Sequence, residues 1–133
     1  MTRAARIETH GGPDVITWHD IDLADPGRGE VRIRSTAVGL NFIDTYHRRG
    51  IYPVALPSGL GVEGVGVVEA VGEDVTEVAV GTRVGFFGPQ LGAYATARNL
   101  AAASLFILPD DIPDEIAAAA LLKGCTTEFL VER

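Results

Sequence analysis

Besides two arginines, six side chains that can form hydrogen bonds or transfer protons lie within the short segment 41–52. They are Asn41, Asp44, Thr45, Tyr46, His47 and Tyr52. The segment follows an alternation of polar and apolar residues that is typical of a strand, and a polar cluster where a strand becomes a loop is a common place for a site. The alternative is a polar loop whose tyrosine rings only pack. The residue types alone leave both interpretations open.

The usual metal ligands do not have the spacing of a metal site. The three histidines, His10, His19 and His47, include no pair four residues apart, and none has a cysteine nearby. The single cysteine, Cys125, is interpreted as a small core or junction residue and not as a nucleophile. One thiol also excludes a disulfide framework and any zinc site that needs several thiolates. We therefore predict no metal ligand.

Two familiar motifs can also be excluded. The chain has no Gly-x-Ser-x-Gly elbow of the kind that presents a nucleophilic serine. Residues 59–64 do spell Gly-x-Gly-x-x-Gly, but they precede a strand and do not open a helix after one. They therefore fail the structural test for a dinucleotide-binding fingerprint. We interpret them as a close-packed turn that leads into the strand 65–71.

The composition indicates one acidic globular domain. The chain has 133 residues, with 11 Lys and Arg against 18 Asp and Glu, so its formal net charge is −7. An acidic surface is a poor match for nucleic-acid phosphates. No apolar run approaches the roughly 18 residues of a membrane span, and the N-terminus has no signal-peptide pattern. We expect a cytoplasmic protein with neither a nucleic-acid nor a membrane partner.

A mainly β fold with a helix at its C-terminal end is predicted to position the polar cluster. Residues 30–38 alternate polar and apolar side chains, which is typical of a strand with one face in water. The other predicted strands are 4–9, 17–21, 64–72, 81–87 and 93–97. Because short strands alternate with glycine turns, a small barrel or sandwich is expected.

The C-terminal segment predicts helix. Pro113 and the two acids that follow it suit a first helical turn, and the Ala- and Leu-rich stretch to Lys123 favours helix strongly. Gly124 is expected to break the helix, with a second helical stretch from Thr126 to Arg133. Lys123 is interpreted as a charge at the helix end that complements the dipole.

Several motifs resemble one enzyme family. Residues 41–46, 50–53 and 57–66 are similar to the quinone oxidoreductase branch of the zinc-independent medium-chain dehydrogenase/reductases. Residues 11–15, 81–84, 92–94, 117–119 and 122–124 also fit, in order and with the spacing of that family. The resemblance covers the whole chain.

The resemblance implies a site without zinc. Zinc-dependent relatives place a cysteine ligand where Asn41 stands, and they carry Gly-His-Glu where this chain has Gly61-Val62-Glu63. Neither an amide nor a valine can replace a thiolate or an imidazole at zinc. Hydrogen-bond donors must then stabilise charge on the reacting oxygen in place of a Lewis acid.

The resemblance also implies NADPH as cofactor. Its nicotinamide end would be lined by the segment 42–46, with an amide hydrogen bond from Asn41 and a contact from Thr126 at the domain junction. The cofactor-binding residues implied are Asn41, Phe42, Ile43, Asp44, Thr45, Tyr46 and Thr126.

Tyr52 and Asn41 are the catalytic residues that the resemblance implies, with Tyr52 at the border of the quinone pocket. The expected reaction is hydride transfer to a quinone or a conjugated enone. Tyr52, Tyr46 or water would hydrogen-bond the developing oxyanion and supply the proton, since a phenol is protonated at neutral pH. Ring packing is the alternative role for Tyr46.

The resemblance implies a GroES-like fold that is incomplete in this sequence. Residues 1–112 would form an incomplete GroES-like catalytic domain, a partly open β-barrel. Residues 113–133 would lead toward a nucleotide-binding Rossmann domain that is absent from this sequence. The absent strands would leave a sheet edge open, through which copies of the chain could associate.

Three functions stay open at this point. The first is the catalytic-domain portion of an NADPH-dependent quinone oxidoreductase. The second is a truncated, inactive GroES-like module that serves binding or assembly, and the third is a reductase of another enone or carbonyl compound. Whether the chain is an enzyme alone is uncertain, because most of the cofactor site would lie in the absent region.

Overall fold

The computed structural model describes residues 1–132 as two β-sheets and two α-helices. Arg133, the last residue of the predicted helical segment 113–133, lies outside the described residues. The strands are β1 Thr2–Ile7, β2 Thr17–Ile21, β3 Glu30–Gly39, β4 Ser58–Gly59, β5 Glu63–Val71, β6 Arg83–Phe87, β7 Ala97–Ala101 and β8 Leu105–Ile107. The helices are α1 Phe42–Arg49 and α2 Asp114–Glu132, and short 3₁₀ turns lie at Pro13–Val15 and Ala102–Ser104.

The larger sheet contains five strands in the order β7-β3-β5-β6-β8, and every neighbouring pair is antiparallel. The alternation along β3 confirms the predicted strand 30–38. Val31 and Ile33 are fully buried and pack with Val68 and Val84, while Arg34 points outward. Burial of these branched side chains on one face of the sheet forms the main core.

The smaller sheet has the order β2-β1-β4 and meets the larger one through the segment that precedes β7. Ala4 bridges to Ala95, and the N–H of Ala5 donates to the carbonyl of Tyr94 at 2.8 Å. Both sheets keep free edge strands, so the described strands form open sheets and not a closed barrel. The prediction of a mainly β fold with a C-terminal helix is confirmed.

The predicted strand 93–97 is wrong, because the strand begins at Ala97. The N–H groups of Ala93 and Tyr94 donate to the carbonyls of Gly61 and Leu60, at 3.1 and 2.9 Å. Backbone groups committed to that loop cannot join a regular ladder. The consequence is that Tyr94 lies beside the start of β5, close to α1.

The polar segment after β3 is a helix and not a loop. Asn41 is the N-cap of α1, and Asn41 and Asp44 form a capping box in which the N–H of Asn41 donates to Oδ2 of Asp44 at 2.9 Å. Gly50 ends the helix with φ of 74°, a conformation that glycine adopts without steric cost. Two caps therefore hold a helix of only eight residues.

Helix α2 runs without interruption through Gly124, so the predicted break is wrong. A glycine inside a helix costs only about 1 kcal/mol of helix stability relative to alanine, and the neighbouring residues of high helix propensity offset that cost. Ala117 and Ala118 are buried against the larger sheet, whereas Cys125 is exposed and does not belong to the core. None of the described helices is long and apolar enough to cross a membrane.

Arg83 anchors the start of α2 to β6. Its guanidinium donates to Oδ1 of Asp114 at 2.5 and 3.0 Å and to the carbonyls of Ile112 and Pro109 at 2.6 and 3.2 Å. A hydrogen bond from Thr36 lowers the pKa of Asp114, and a hydrogen bond from Arg83 lowers it by a smaller amount. The charged carboxylate therefore contributes stability at neutral pH, and this contribution is lost as the pH falls through the lowered pKa.

We expect the Asp114→Asn variant to reduce the free energy of unfolding by about 1 kcal/mol at pH 7, because it removes a charged acceptor from Arg83. The difference from the unsubstituted chain should begin to shrink near pH 4, where a free aspartate binds its proton, and should disappear only below the lowered pKa of Asp114. Urea unfolding followed by circular dichroism measures both. Glu115→Gln is the control, since it also removes a charge from the first turn of α2 but leaves Arg83 alone. Equal losses in the two variants would assign the effect to the helix dipole.

Candidate active site

Glu63, the first residue of β5, is a fully buried carboxylate that joins three elements. Its Oε2 accepts a hydrogen bond from Nδ2 of Asn41 at 2.7 Å, and its Oε1 accepts one from the backbone N–H of Leu122 at 2.6 Å. The ammonium of Lys123 lies 3.6 Å from Oε2. A buried charge is tolerated when donors satisfy it in this way. Lys123 is thus not a helix-end charge, because α2 continues nine residues beyond it to Glu132.

Gly39 makes room for this arrangement. It pairs with Glu63 across β3 and β5, and a Cβ atom on it would lie 2.4 Å both from the carboxylate and from the carbonyl of Ala118. A Cβ atom does not approach a non-bonded oxygen that closely, so any larger residue at position 39 would force α2 or Glu63 away. The absence of a side chain therefore allows α2 to approach the sheet closely enough for Leu122 to reach Glu63.

Asp44 is the second buried carboxylate beside Asn41. Its Oδ2 accepts hydrogen bonds from the N–H of Asn41 at 2.9 Å and from the hydroxyl of Tyr94 at 2.6 Å. Burial is the main cause that raises the pKa of Tyr94 well above its usual value, and the hydrogen bond to Asp44 raises it further. Tyr94 is therefore a fixed donor throughout the neutral range. Asp44 is one of the predicted cofactor residues, and its Oδ2 atom accepts hydrogen bonds from the protein itself.

Tyr94 has a structural part in the site that the sequence analysis did not assign to it. It appeared only within the predicted strand 93–97 and within the motif 92–94 that supports the family resemblance. No local pattern links Tyr94 to Asp44, because they are 50 residues apart and belong to different segments of the chain. Only the path of the loop before β7 brings the two together.

The remaining predicted residues of α1 divide between exposed and packed positions. Phe42 is largely exposed, and the hydroxyl of Thr45 donates to its carbonyl at 2.7 Å. The rings of Tyr46 and Tyr52 meet edge to face, with centroids 5.3 Å apart. Tyr52 is about half exposed, so its hydroxyl can exchange protons with water. The structure thus brings together both tyrosines that the sequence analysis considered as donors.

An apolar cavity of about 340 Å³ lies between α1, α2 and the sheet. It is lined by Ile43, His47, Val62, Phe87, Gly88, Pro89 and Leu122. Val62 occupies the position where the family resemblance placed a zinc ligand in other relatives. His47 is the titratable group of this lining, and its Nδ1 is buried without a hydrogen-bond partner in residues 1–132. The cavity suits a flat apolar group better than a hydrated ion.

Thr126 lies on α2 one turn after Leu122, to whose carbonyl its hydroxyl donates at 3.0 Å. Residues four apart share one face of a helix, so Thr126 continues the face on which Leu122 borders the cavity. Its side chain is exposed. Residues 1–132 contain no group of three His, Cys, Asp or Glu side chains that could hold a metal ion.

Comparison with known proteins gives the family. The alcohol dehydrogenase GroES-like domain matches residues 27–110. The chain belongs to this family. Quinone oxidoreductase of Pseudomonas aeruginosa is 50% identical over all of this chain and 41% of its own length. The 2-haloacrylate reductase of a Burkholderia species is 43% identical over all of this chain and 42% of its length.

A solved structure shows the same fold. Escherichia coli quinone oxidoreductase complexed with NADPH superposes with a TM-score of 0.96 at 42% identity, covering 98% of this chain and 40% of that chain. The chain therefore spans about 40% of the length of the relatives that it matches. The family predicted from the motifs and the GroES-like fold are confirmed.

We expect the Tyr94→Phe variant to lose about 1–3 kcal/mol of unfolding free energy, because the buried Asp44 carboxylate loses a donor. Since the pKa of Tyr94 is raised in the folded chain, this contribution is present below about pH 10 and is lost at higher pH. Denaturant unfolding between pH 7 and 11 measures the difference. Tyr46→Phe is the control, because it removes a phenol from a ring-packed position. A loss in Tyr46→Phe as large as that in Tyr94→Phe would contradict the assignment.

Proposed function

We propose that this chain is the catalytic-domain portion of an NADPH-dependent quinone oxidoreductase that works without zinc. The observation that carries the proposal is the Asn41 amide, fixed by a buried carboxylate near an apolar cavity. The names of the relatives support the reaction, and the NADPH complex of the Escherichia coli relative supports the cofactor. A quinone suits the cavity, since it is flat, largely apolar and carries hydrogen-bond acceptors.

In this proposal the residues around Asn41 meet the nicotinamide end of the cofactor and not its phosphates. Both carboxylates near Asn41 have protein donors on them: Glu63 accepts from Asn41 and Leu122, and Asp44 accepts from Asn41 and Tyr94. Their charge is therefore partly offset before any ligand arrives. NADPH, when bound, supplies the hydride. Asn41, residues 42–46 and Thr126 would hold its nicotinamide end.

The chain's own groups would then orient the substrate and move the proton. Asn41 offers an amide N–H as a donor, and the apolar side chains of the cavity exclude water from the reacting atoms. Tyr52 would hydrogen-bond the quinone oxygen on which charge develops and would deliver its proton. Its half-exposed position allows solvent to return that proton. Tyr46 would support the ring of Tyr52 by packing.

The experiment must supply the part of the relatives that this chain does not span. Residues 1–133 are joined to the remaining 60% or so of the Escherichia coli relative, and quinone-dependent oxidation of NADPH is followed by absorbance. We expect turnover by the fusion. A folded fusion that binds NADPH but reduces no quinone would refute the proposal. The alternative, a non-catalytic binding module, predicts no quinone turnover by the fusion and no NADPH binding by residues 1–133 alone, which calorimetry measures.

A reductase of another activated alkene is the second candidate. The observation that favours it is the 43% identity with a 2-haloacrylate reductase. Turnover of conjugated enones and acrylates by the same fusion, compared with quinones at equal concentration, distinguishes the two. Self-association through an open sheet edge and a cytoplasmic location stay predictions.

We expect Tyr52→Phe to lower kcat for quinone about 100-fold in the fusion, because it removes the proposed proton donor and leaves the ring. The Kd for NADPH, measured by fluorescence, should change little. Tyr46→Phe is the matched variant, since its ring packs on that of Tyr52 and its hydroxyl is the alternative donor. Full quinone turnover by Tyr52→Phe would remove Tyr52 from the chemistry, and a loss confined to Tyr46→Phe would transfer the role to Tyr46.

A further inference from the structure

The Asn41 side chain has two different edges, and the structure assigns a partner to each. An ionised carboxylate only accepts hydrogen bonds, so the edge of the amide that faces Glu63 must be its NH₂ group. The capping box with Asp44 directs the oxygen edge toward the start of α1. One hydrogen of Nδ2 is used by Glu63. The other is the group that Asn41 can offer to a ligand.

We propose that Glu63 is a positioning residue that fixes the Asn41 amide as a hydrogen-bond donor. This inference rests on the proposed function for its catalytic consequence, but the orientation itself is a property of this chain. Without Glu63 only the capping box would oppose a 180° rotation of the amide, which would present its oxygen and repel a substrate oxygen on which negative charge develops. Glu63 prevents that rotation because it cannot donate.

Leu122 and Lys123 keep Glu63 an acceptor. The N–H of Leu122 donates to Oε1, and the ammonium of Lys123 lies 3.6 Å from Oε2, on the oxygen that Asn41 uses. Both place a donor group on the carboxylate, so its oxygens act as acceptors at this place. Glu63 is fully buried, so water does not compete for these oxygens. The orientation of Asn41 therefore depends on a contact between β5 and α2 as well as on its own helix.

A purely structural role for residue 63 would not need a charge. Glutamine has nearly the same shape and could still join β5 to α2 with its one oxygen. It would place an NH₂ group against either Leu122 or Asn41, however, and two donors cannot face each other. When the glutamine oxygen stays on the Leu122 N–H and so preserves the link to α2, its NH₂ group faces Asn41, and the Asn41 amide must reverse or lose its partner. This difference makes the two roles separable.

The first test uses unmodified residues 1–133 labelled with ¹⁵N and ¹³C. Scalar couplings across hydrogen bonds should connect the carboxyl carbon of Glu63 both to Nδ2 of Asn41 and to the amide nitrogen of Leu122. One Asn41 side-chain hydrogen should exchange with water about tenfold more slowly than its geminal neighbour, which corresponds to one buried hydrogen bond. Absence of the coupling to Asn41 overturns the proposal, whether or not any variant folds.

The second test compares two variants that each remove one charge from β5. Glu63→Gln should shift the Asn41 side-chain resonances and remove their slow exchange. Glu69→Gln is the control, because Glu69 lies on the same strand but is partly exposed and pairs with Arg34 at 3.3 Å on the surface. Asn41 resonances that stay in place in Glu63→Gln would overturn the positioning role.

The catalytic consequence is measured in the fusion protein. Glu63→Gln and Asn41→Ala should each lower kcat for quinone about 10- to 100-fold, and the double variant should be no slower than Asn41→Ala alone. Multiplied effects would show that Glu63 does not act through Asn41. If the unsubstituted fusion reduces no quinone, the proposed function fails, while the couplings in residues 1–133 still decide whether Glu63 orients Asn41.

Discussion

The buried charge of Glu63 is the constraint on which the arrangement of this domain depends. A carboxylate with no exposed surface is costly unless donors surround it, and here they come from Asn41 before α1, from Leu122 within α2 and from the Lys123 ammonium. In the sequence, Asn41 lies more than 20 positions before Glu63, and Leu122 and Lys123 lie more than 50 positions after it. Both helices must therefore take their places together for the charge to be satisfied, which couples their positions to the start of β5 in the middle of the larger sheet.

The regular parts of this fold could be predicted because their signals are local. The alternation along β3 and the β-branched run of β5 fix which residues face the core, so both strands were expected nearly at their observed bounds. The helix α1 was missed, since eight residues give little periodicity and the signal lay in the cap formed by Asn41 and Asp44. The break expected at Gly124 is absent, because one glycine lowers helix stability only slightly. Propensity is a weak bias that the rest of a helix can override.

The candidate site was only partly predictable. The polar cluster 41–52 was recognised from its composition, and Asn41 and Tyr52 from the family resemblance. The roles of Glu63 and Tyr94 were not, because each depends on contacts between distant segments. Glu63 reads in the sequence as an acid at the start of an apolar run, which is compatible with an exposed strand end. Burial decides its role, and burial is a property of the assembled fold.

The contacts around Asn41 form one continuous path of polar groups. Tyr94 donates to Asp44, Asp44 accepts from the Asn41 backbone, the Asn41 side chain donates to Glu63, and Glu63 accepts from Leu122. The donors and acceptors alternate, so the Asn41 amide cannot reverse without turning its oxygen toward the Glu63 carboxylate in a region of low dielectric. The zinc-dependent relatives resembled by this chain place metal ligands where Asn41 and Val62 stand, and a metal orients its ligands by coordination. In this chain the alternation of donors and acceptors supplies that orientation for the Asn41 amide, and the apolar side chain of Val62 lines the neighbouring cavity.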